Sequence, residues 1–238
     1  MLFLLLQKIH STYMALRLYI ETATTNCSVC IADADTVLYF KEENDKNYSH
    51  SEKLHVFIKE ACETANITPN DLQAIVVGKG PGSYTGLRIG VSTAKGLCFA
   101  SDVPLLSIET LAILAQSITI TEGVIVPLLD ARRMEVYSAV FDASYTQIRG
   151  TEAEIIDENS FSEYLNKGNV YFIGNGAEKC KGIITHENAV FFDEIFFPSA
   201  KHMIPLGIQK HTDKAFEDVA YFEPYYLKDF VVTKPKKK

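Results

Sequence analysis

The sequence predicts an α/β protein built from two similar halves. Of its 238 residues, 47% are apolar, which is enough to fill a large core, and 22% are charged. These proportions exclude a disordered chain, a fibrous protein and a small disulfide-stabilised scaffold. One order of strands and helices also occurs twice along the chain, before and after about residue 123. We therefore expect two lobes with a cleft between them.

The first half has the pattern of three strands followed by a helix, a strand and a helix. β-Branched and aromatic runs separated by turn-forming residues predict strands at 16–21, 27–32 and 37–41. Apolar side chains spaced three or four residues apart predict a helix over 51–64. The almost continuous apolar run at 72–77 is typical of a strand buried on both faces. The small and apolar residues of 84–100 predict a mostly buried helix.

The second half repeats this order. We predict strands at 124–129, 135–141, 144–149 and 170–173, and helices at 161–166 and 200–208. A three-strand, helix, strand, helix unit that occurs twice is typical of a duplicated ribonuclease-H-like architecture. We predict that the first lobe covers residues 14–108 and the second lobe residues 109–228.

The two ends of the chain are predicted to lie outside both lobes. The patterned sequence begins directly after Met14, so residues 1–13 are interpreted as a non-native or disordered extension, with Met1 and Met14 as alternative starts. Residues 229–238 include Lys234 and three final lysines, which predicts a flexible basic tail.

Charge and hydropathy indicate where the protein is located and which kinds of partner it has. The longest apolar run near the start, residues 2–6, is far shorter than the roughly 20 residues of a membrane span. It also lacks the pattern of a secretory signal, so we predict a cytoplasmic protein with no membrane partner. The net charge of −7 argues against a whole surface adapted to nucleic acid, although a local basic patch remains open.

Cysteine and histidine positions predict neither a metal site nor a nucleophile. Cys27 and Cys30 form a Cys-x-x-Cys pair, but they lie in a β-rich run and are interpreted as strand packing. No two of the six histidines have the spacing of a helical metal pair, and no Gly-x-Ser-x-Gly motif occurs. We therefore predict no catalytic residue and no metal ligand, and the sequence does not favour a hydrolase.

A glycine-rich loop lies between the strand at 72–77 and the helix at 84–100. Residues 78–90 fit neither the Walker A spacing nor the dinucleotide-binding spacing. Two interpretations stay open: a loop whose backbone N–H groups bind an anion, and a tight turn between strand and helix.

Small residues recur every four positions from this loop into the helix, at Gly82, Gly86, Gly90, Ala94 and Cys98. An interior glycine costs roughly 1 kcal/mol relative to alanine, so we expect a close helix contact that compensates for it. We predict a partner-binding seam, with packing inside the same chain as the alternative. Its predicted residues are Gly86, Leu87, Gly90, Val91, Ala94, Leu54 and Ile58. A bulky residue at Gly86 or Gly90 would then abolish complex formation by steric blocking.

Two acidic residues follow equivalent predicted strands, Glu21 in the first half and Asp130 in the second. In a duplicated architecture such carboxylates face the cleft and can hold a metal-bound nucleotide. With Thr22, Gly80 and Gly82 they form a candidate vestigial nucleotide site. The alternative at Asp130, which is followed by two arginines, is a salt bridge at a strand end.

Six short segments of the chain, taken in order, resemble the TsaB (YeaZ) family, and the resemblance spans residues 15–228. The matching segments are 20–24, 49–52, 78–90, 130–137, 198–200 and 224–227. The resemblance implies the actin-like two-lobed fold of the ASKHA superfamily. It also implies a function in making threonylcarbamoyladenosine beside the anticodon of tRNA. The family commonly has aspartate where this chain has Glu21, which weakens the prediction of a nucleotide site.

The resemblance further implies a division of labour with other proteins. Residues 107–113 contain no histidine where the transferase TsaD has its His-x-x-x-His metal motif. This chain would be a non-catalytic, activating subunit that forms a heterodimer with TsaD through the helices at 51–64 and 84–100. TsaE, an ATPase, would join the complex, and a homodimer in isolation stays open. ATP and metal would belong to the partner subunits, so this chain would need no cofactor.

Two alternative hypotheses remain at this point. The first is an actin-like ATPase or sugar kinase that uses Glu21, the glycine loop and Asp130 around magnesium-ATP. The second concerns RNA: tRNA would be contacted only through the complex, and the lysines from Lys228 onward are candidate contacts with its phosphates. A solvated terminus is the alternative for those lysines.

Overall fold

The computed structural model describes residues 15–45 and 50–228, which form two five-stranded mixed sheets. The predictions for residues 1–13 and 229–238 lie outside the described residues, as does Met14. Each sheet is the centre of one lobe. Helices cover both faces of the first sheet and connect it to the second.

The first lobe begins with a three-stranded antiparallel meander, and its last two strands run parallel to β1. Its strands are β1 (Leu16–Glu21), β2 (Asn26–Asp33), β3 (Thr36–Asn44), β4 (Ala74–Gly80) and β5 (Leu105–Glu109). Their order in the sheet is β3-β2-β1-β4-β5. The helices are α1 (His50–Ala65), α2 (Tyr84–Ser101) and α3 (Thr110–Ala115), with a 3-10 turn at Pro69–Asp71.

The second lobe has the same topology. Its strands are β6 (Val124–Asp130), β7 (Glu135–Asp142), β8 (Gln147–Ile155), β9 (Val170–Ile173) and β10 (Ala189–Phe191). The sheet order β8-β7-β6-β9-β10 matches that of the first lobe strand for strand, with the same parallel and antiparallel pairs. The helices that follow are α4 (Ser162–Leu165), α5 (Ala177–Cys180), a 3-10 turn at Ala200–Met203 and α6 (Ile204–Thr212). The predicted duplicated fold is therefore confirmed.

Helices α1 and α2 pack side by side on one face of the first sheet. Leu54, Phe57 and Ala61 of α1 follow one another at three- and four-residue steps and are buried against that face. Val91 and Ala94 of α2 join the same apolar cluster. The apolar spacing that predicts these helices therefore also determines which of their sides faces the sheet.

The chain returns to the first lobe after β10. Ala200, Met203 and Ile204 are buried in one cluster with Tyr19 and Ile108, on the face of the first sheet opposite α1 and α2. The predicted second lobe, residues 109–228, is therefore wrong for its last part, from residue 200 onward. The apolar side of α6 covers a face of the first sheet that would otherwise be exposed to water.

The cysteines are all free, and the Cys-x-x-Cys pair is divided between two cores. Cys27 and Cys30 are three residues apart on β2, so their side chains point to opposite faces of the sheet, into separate clusters. Burial raises the pKa of both thiols to about 12. The strand-packing interpretation of this pair is confirmed.

Within residues 15–45 and 50–228, none of the helices combines the length and the apolar character that a membrane crossing requires.

Candidate functional site

The glycine loop after β4 packs directly against the turn between β1 and β2. Ser83 N donates a hydrogen bond to Ala23 O at 2.7 Å, and Thr22 Oγ1 donates to Gly86 O at 2.8 Å. A Cβ atom at Gly82 or Gly86 would collide with the main chain of that turn. The loop therefore needs glycine because the chain's own backbone approaches it, which favours the tight-turn interpretation.

Glu21 lies beneath this loop at the end of β1, and its side chain is completely buried. Its Oε1 accepts a hydrogen bond from Ala23 N at 2.6 Å, whereas Oε2 has no hydrogen-bond partner in the described part of the chain. A Cβ atom at Gly78 would collide with this carboxyl group. Burial raises the pKa of Glu21 to about 7, against the opposing effect of hydrogen bonds from the Ala23 and Thr22 backbone. The carboxyl group thus packs against the loop and keeps its proton in mildly acidic solution.

The buried acid predicts a pH-dependent stability. Because folding raises the pKa of Glu21 from 4.5 to about 7, its contribution to stability is complete below pH 4.5 and is lost as the pH rises through 7. At pH 8 the loss is roughly 3 kcal/mol. We expect Glu21→Gln, which has no charge, to match the wild type near pH 4.5 and to exceed its unfolding free energy by up to about 3 kcal/mol at pH 8. Urea unfolding of both proteins at both pH values measures this. If the difference in unfolding free energy between variant and wild type is the same at pH 4.5 and pH 8, Glu21 does not titrate in the core.

Asp130 lies at the end of β6, on the other lobe. Its Oδ1 is 2.5 Å from Lys179 Nζ and also accepts a hydrogen bond from Arg132 N at 2.8 Å. The backbone N–H of Asp130 donates to Asn175 Oδ1 at 3.1 Å. Asp130 therefore forms a salt bridge at a strand end, as the alternative proposed, but its partner is Lys179 and not either of the two arginines that follow it.

The structure brings together four of the five candidate nucleotide-site residues. Glu21 ends β1 and Thr22 begins the β1–β2 turn, while Gly80 ends β4 and Gly82 lies on the glycine loop that packs against that turn. No hydrogen bond or ion pair among the described residues joins Asp130 to these four. Within the described ranges, no group of histidine, cysteine, aspartate and glutamate side chains could hold a metal ion.

Residues 217–228, which the sequence predicts as the end of the second lobe, lie across the first lobe. Tyr225 N donates to Lys79 O at 2.7 Å, and a Cβ atom at Gly80, where φ is +111°, would contact Tyr225 O. Lys95 Nζ of α2 donates to the carbonyl oxygens of Ala220 and Phe222, at 3.1 and 2.8 Å. The segment therefore covers the glycine loop and one side of α2. Four aromatic residues lie between positions 221 and 226, and this clustering is the sequence feature that could have indicated that the segment packs on the protein.

The predicted partner-binding seam is buried inside the first lobe. Leu54, Leu87, Val91, Ala94 and Ile58 are 0 to 7% exposed, and both glycines of the seam are buried. A Cβ atom at Gly90 would collide with the side chain of Thr22. This burial favours the alternative, packing inside the same chain, for every seam residue except Ile58, which also lines the groove described next. The small stripe is the inward side of α2, which crosses the β1–β2 turn at backbone contact distance.

The outer sides of α1 and α2 form a different surface, which we name the α1–α2 groove. It is an open groove of about 680 Å³ whose lining mixes apolar and polar side chains. The apolar ones are Ile58, Cys62, Ile67, Pro69 and Leu97, and the polar or charged ones are His55, Lys59, Glu63, Asn66, Thr68 and Asp71. Val56 of α1 and Phe99 of α2 are 49% and 86% exposed. Exposed apolar side chains of this size, on the two helices that contribute to the groove, are typical of a protein docking surface.

Comparison with known proteins agrees with this architecture. A sequence model of the family described as "TsaD: tRNA N6-adenosine threonylcarbamoyltransferase" matches residues 44–235. The tRNA threonylcarbamoyladenosine biosynthesis protein TsaB of Escherichia coli K12 is 29% identical over 91% of this chain and 96% of its own length. TsaB of Haemophilus influenzae is 30% identical over 91% of this chain and 95% of its own.

A solved structure has the same fold. YeaZ from Pseudomonas aeruginosa superposes with a TM-score of 0.77 at 22% identity, covering 90% of this chain and 100% of that one. This likeness supports the two-lobed fold, and the sequence relatives establish the family. The resemblance carried by residues 15–228 is confirmed: the chain belongs to the TsaB (YeaZ) family of tRNA threonylcarbamoyladenosine biosynthesis proteins.

Proposed function

We propose that this member of the TsaB family acts in tRNA threonylcarbamoyladenosine biosynthesis as a non-catalytic subunit that binds and activates the transferase TsaD. The α1–α2 groove carries this proposal, because it is an open, partly apolar surface on the lobe whose cleft residues are buried by their own chain. TsaE would join the resulting complex, which would work in the cytoplasm.

The polar groups near the cleft support a non-catalytic subunit. The Glu21 carboxyl group is buried beneath the glycine loop, and the Asp130 carboxylate is paired with Lys179. Burial raises the pKa of Cys98 to about 12 and that of Cys180 to about 11, so neither is a thiolate nucleophile at neutral pH. We propose that ATP and metal are bound by the partner subunits and not by this chain.

The groove also suits TsaD in particular. This chain matches the family model that describes the transferase over residues 44–235. Two chains of one family present related helix pairs, which can pack together across a pseudo-twofold axis. A homodimer through the same groove is then the state that competes with the heterodimer when TsaD is absent.

Reconstitution tests this function. Unmodified tRNA, threonylcarbamoyl-adenylate and ATP are incubated with TsaD and TsaE, with this chain, or with all three proteins, and modified adenosine is measured by mass spectrometry after digestion. We expect product at a useful rate only when TsaD and this chain are both present. Product formed by this chain without TsaD would show that it is an enzyme. Full activity of TsaD and TsaE without this chain would remove its activating role.

A further inference from the structure

The turn between β6 and β7 carries two adjacent arginines in an unusual conformation. Arg132 and Arg133 are exposed, and both have positive φ values, 73° and 52°. Such left-handed positions are unfavourable for side chains other than glycine, asparagine and aspartate, which turns of this type normally contain. Arginine at both positions therefore points to a use for the side chains that the turn itself does not require.

The acidic groups beside these arginines are already neutralised by lysines. Asp130 pairs with Lys179 at 2.5 Å, and Glu135 pairs with Lys228. Neither arginine has a hydrogen bond or an ion pair from its guanidinium group to any residue within 15–45 or 50–228. The uncompensated positive charge of this patch thus lies on the two arginines.

The backbone of the turn is held in a fixed position. Ala131 N donates to Glu135 O at 3.1 Å, and Lys179 Nζ donates to Arg133 O at 2.9 Å and to Glu135 O at 2.6 Å. The two guanidinium groups therefore extend from a constrained turn, which limits the conformational entropy lost when they bind an anion.

We propose that Arg132 and Arg133 bind the phosphodiester backbone of the tRNA substrate; this rests on the proposed function in the tRNA-modifying complex. Guanidinium groups pair with phosphate oxygens through two parallel hydrogen bonds. The patch is basic on a chain of net charge −7, and beyond Lys228 the sequence adds four lysines and only one acid. An excess of cations over acids favours a polyanion over an acidic protein surface.

The test measures tRNA binding by fluorescence anisotropy from 25 to 200 mM KCl, for the full chain alone and with TsaD. For Arg132→Gln/Arg133→Gln we expect roughly tenfold weaker binding at 50 mM KCl. The slope of log K against log salt should become shallower by about 1.5, since each phosphate contact contributes about 0.7 to 0.9. The control Lys210→Gln/Lys214→Gln removes the same charge at the end of α6 and should change binding by less than about twofold. Arg132→Lys/Arg133→Lys keeps the charge but not the paired hydrogen bonds, so it should keep the wild-type slope with an affinity between those of the wild type and the glutamine variant.

The outcomes separate this inference from the proposed function. Unchanged affinity and slope in the glutamine variant, or an equal loss in the α6 control, would overturn the inference. Normal tRNA binding combined with lost co-elution with TsaD would make the turn a protein contact, which also overturns it. If the wild-type chain does not bind TsaD but the glutamine variant still loses tRNA affinity, the proposed function fails and the phosphate contact stands.

Discussion

Aspartate at both Val56 and Phe99 is expected to abolish co-elution of this chain with TsaD while leaving the chain folded. These side chains are 49% and 86% exposed, so replacing them removes few contacts within the chain. In the proposed complex these two positions would be shielded from water. A carboxylate buried there without a partner is strongly unfavourable. We expect Kd for TsaD to rise by at least about 100-fold, measured by titration calorimetry and gel filtration.

The second lobe offers a matched control. Ile148 and Ile155 of β8 are 48% and 73% exposed, so Ile148→Asp/Ile155→Asp adds the same two charges to a surface away from the α1–α2 groove. This variant should bind TsaD with the affinity of the wild type. If the Val56→Asp/Phe99→Asp variant binds as tightly as the wild type, or if the control loses binding equally, the partner does not dock on the outer sides of α1 and α2.

Replacing Gly86 by alanine is expected to destabilise the chain, whereas the same change at Gly96 of the same helix should stabilise it. A Cβ atom at Gly86 would collide with the carbonyl oxygen of Thr22, which is main chain and cannot rotate away. We expect a loss of about 3 kcal/mol and a Tm lower by roughly 6 to 12 °C. Gly96 has no atom within 4 Å of the added methyl group, so helix propensity alone should raise Tm by about 2 to 4 °C.

Calorimetric melting of the two variants measures this difference in sign. Equal shifts at Gly86 and Gly96 would mean that the glycine stripe does not contact the β1–β2 turn.

The contact between the stripe and the turn also bears on Gly90→Arg, which the sequence alone predicts to block a partner surface. Its added side chain would displace Thr22 inside the lobe, so any loss of TsaD binding would follow from lost folding and not from a blocked surface.

Most elements of the fold could be predicted because their sequence patterns are local. The strand at 16–21 and the helix that begins at Tyr84 are found with the expected bounds or close to them. β5 and α3 were missed, since Leu105–Glu109 and Thr110–Ala115 are contiguous in sequence and form one mainly apolar run without a turn residue between them. The strand Ala189–Phe191 has only three residues and is too short to show a period.

The candidate site was harder to predict because its contacts are distant in sequence. A stripe of small residues fits the backbone of the same chain as well as a partner helix, and only the position of Thr22 over α2 distinguishes the two. The return of Tyr225 to Lys79 joins residues from opposite ends of the chain, and no periodicity indicates such a contact. The proximity of Glu21 to the glycine loop was predictable, because both follow neighbouring parallel strands of the duplicated architecture.

Hydrogen exchange tests most directly whether TsaD covers the α1–α2 groove. Amide exchange of the wild-type chain is measured by mass spectrometry with and without a saturating amount of TsaD. We predict slower exchange in His50–Ala65, Tyr84–Ser101 and the turn at Pro69–Asp71, with little change in the strands of the second lobe. Protection confined to the second lobe, or no protection of either helix in a complex that forms, would contradict docking through this groove.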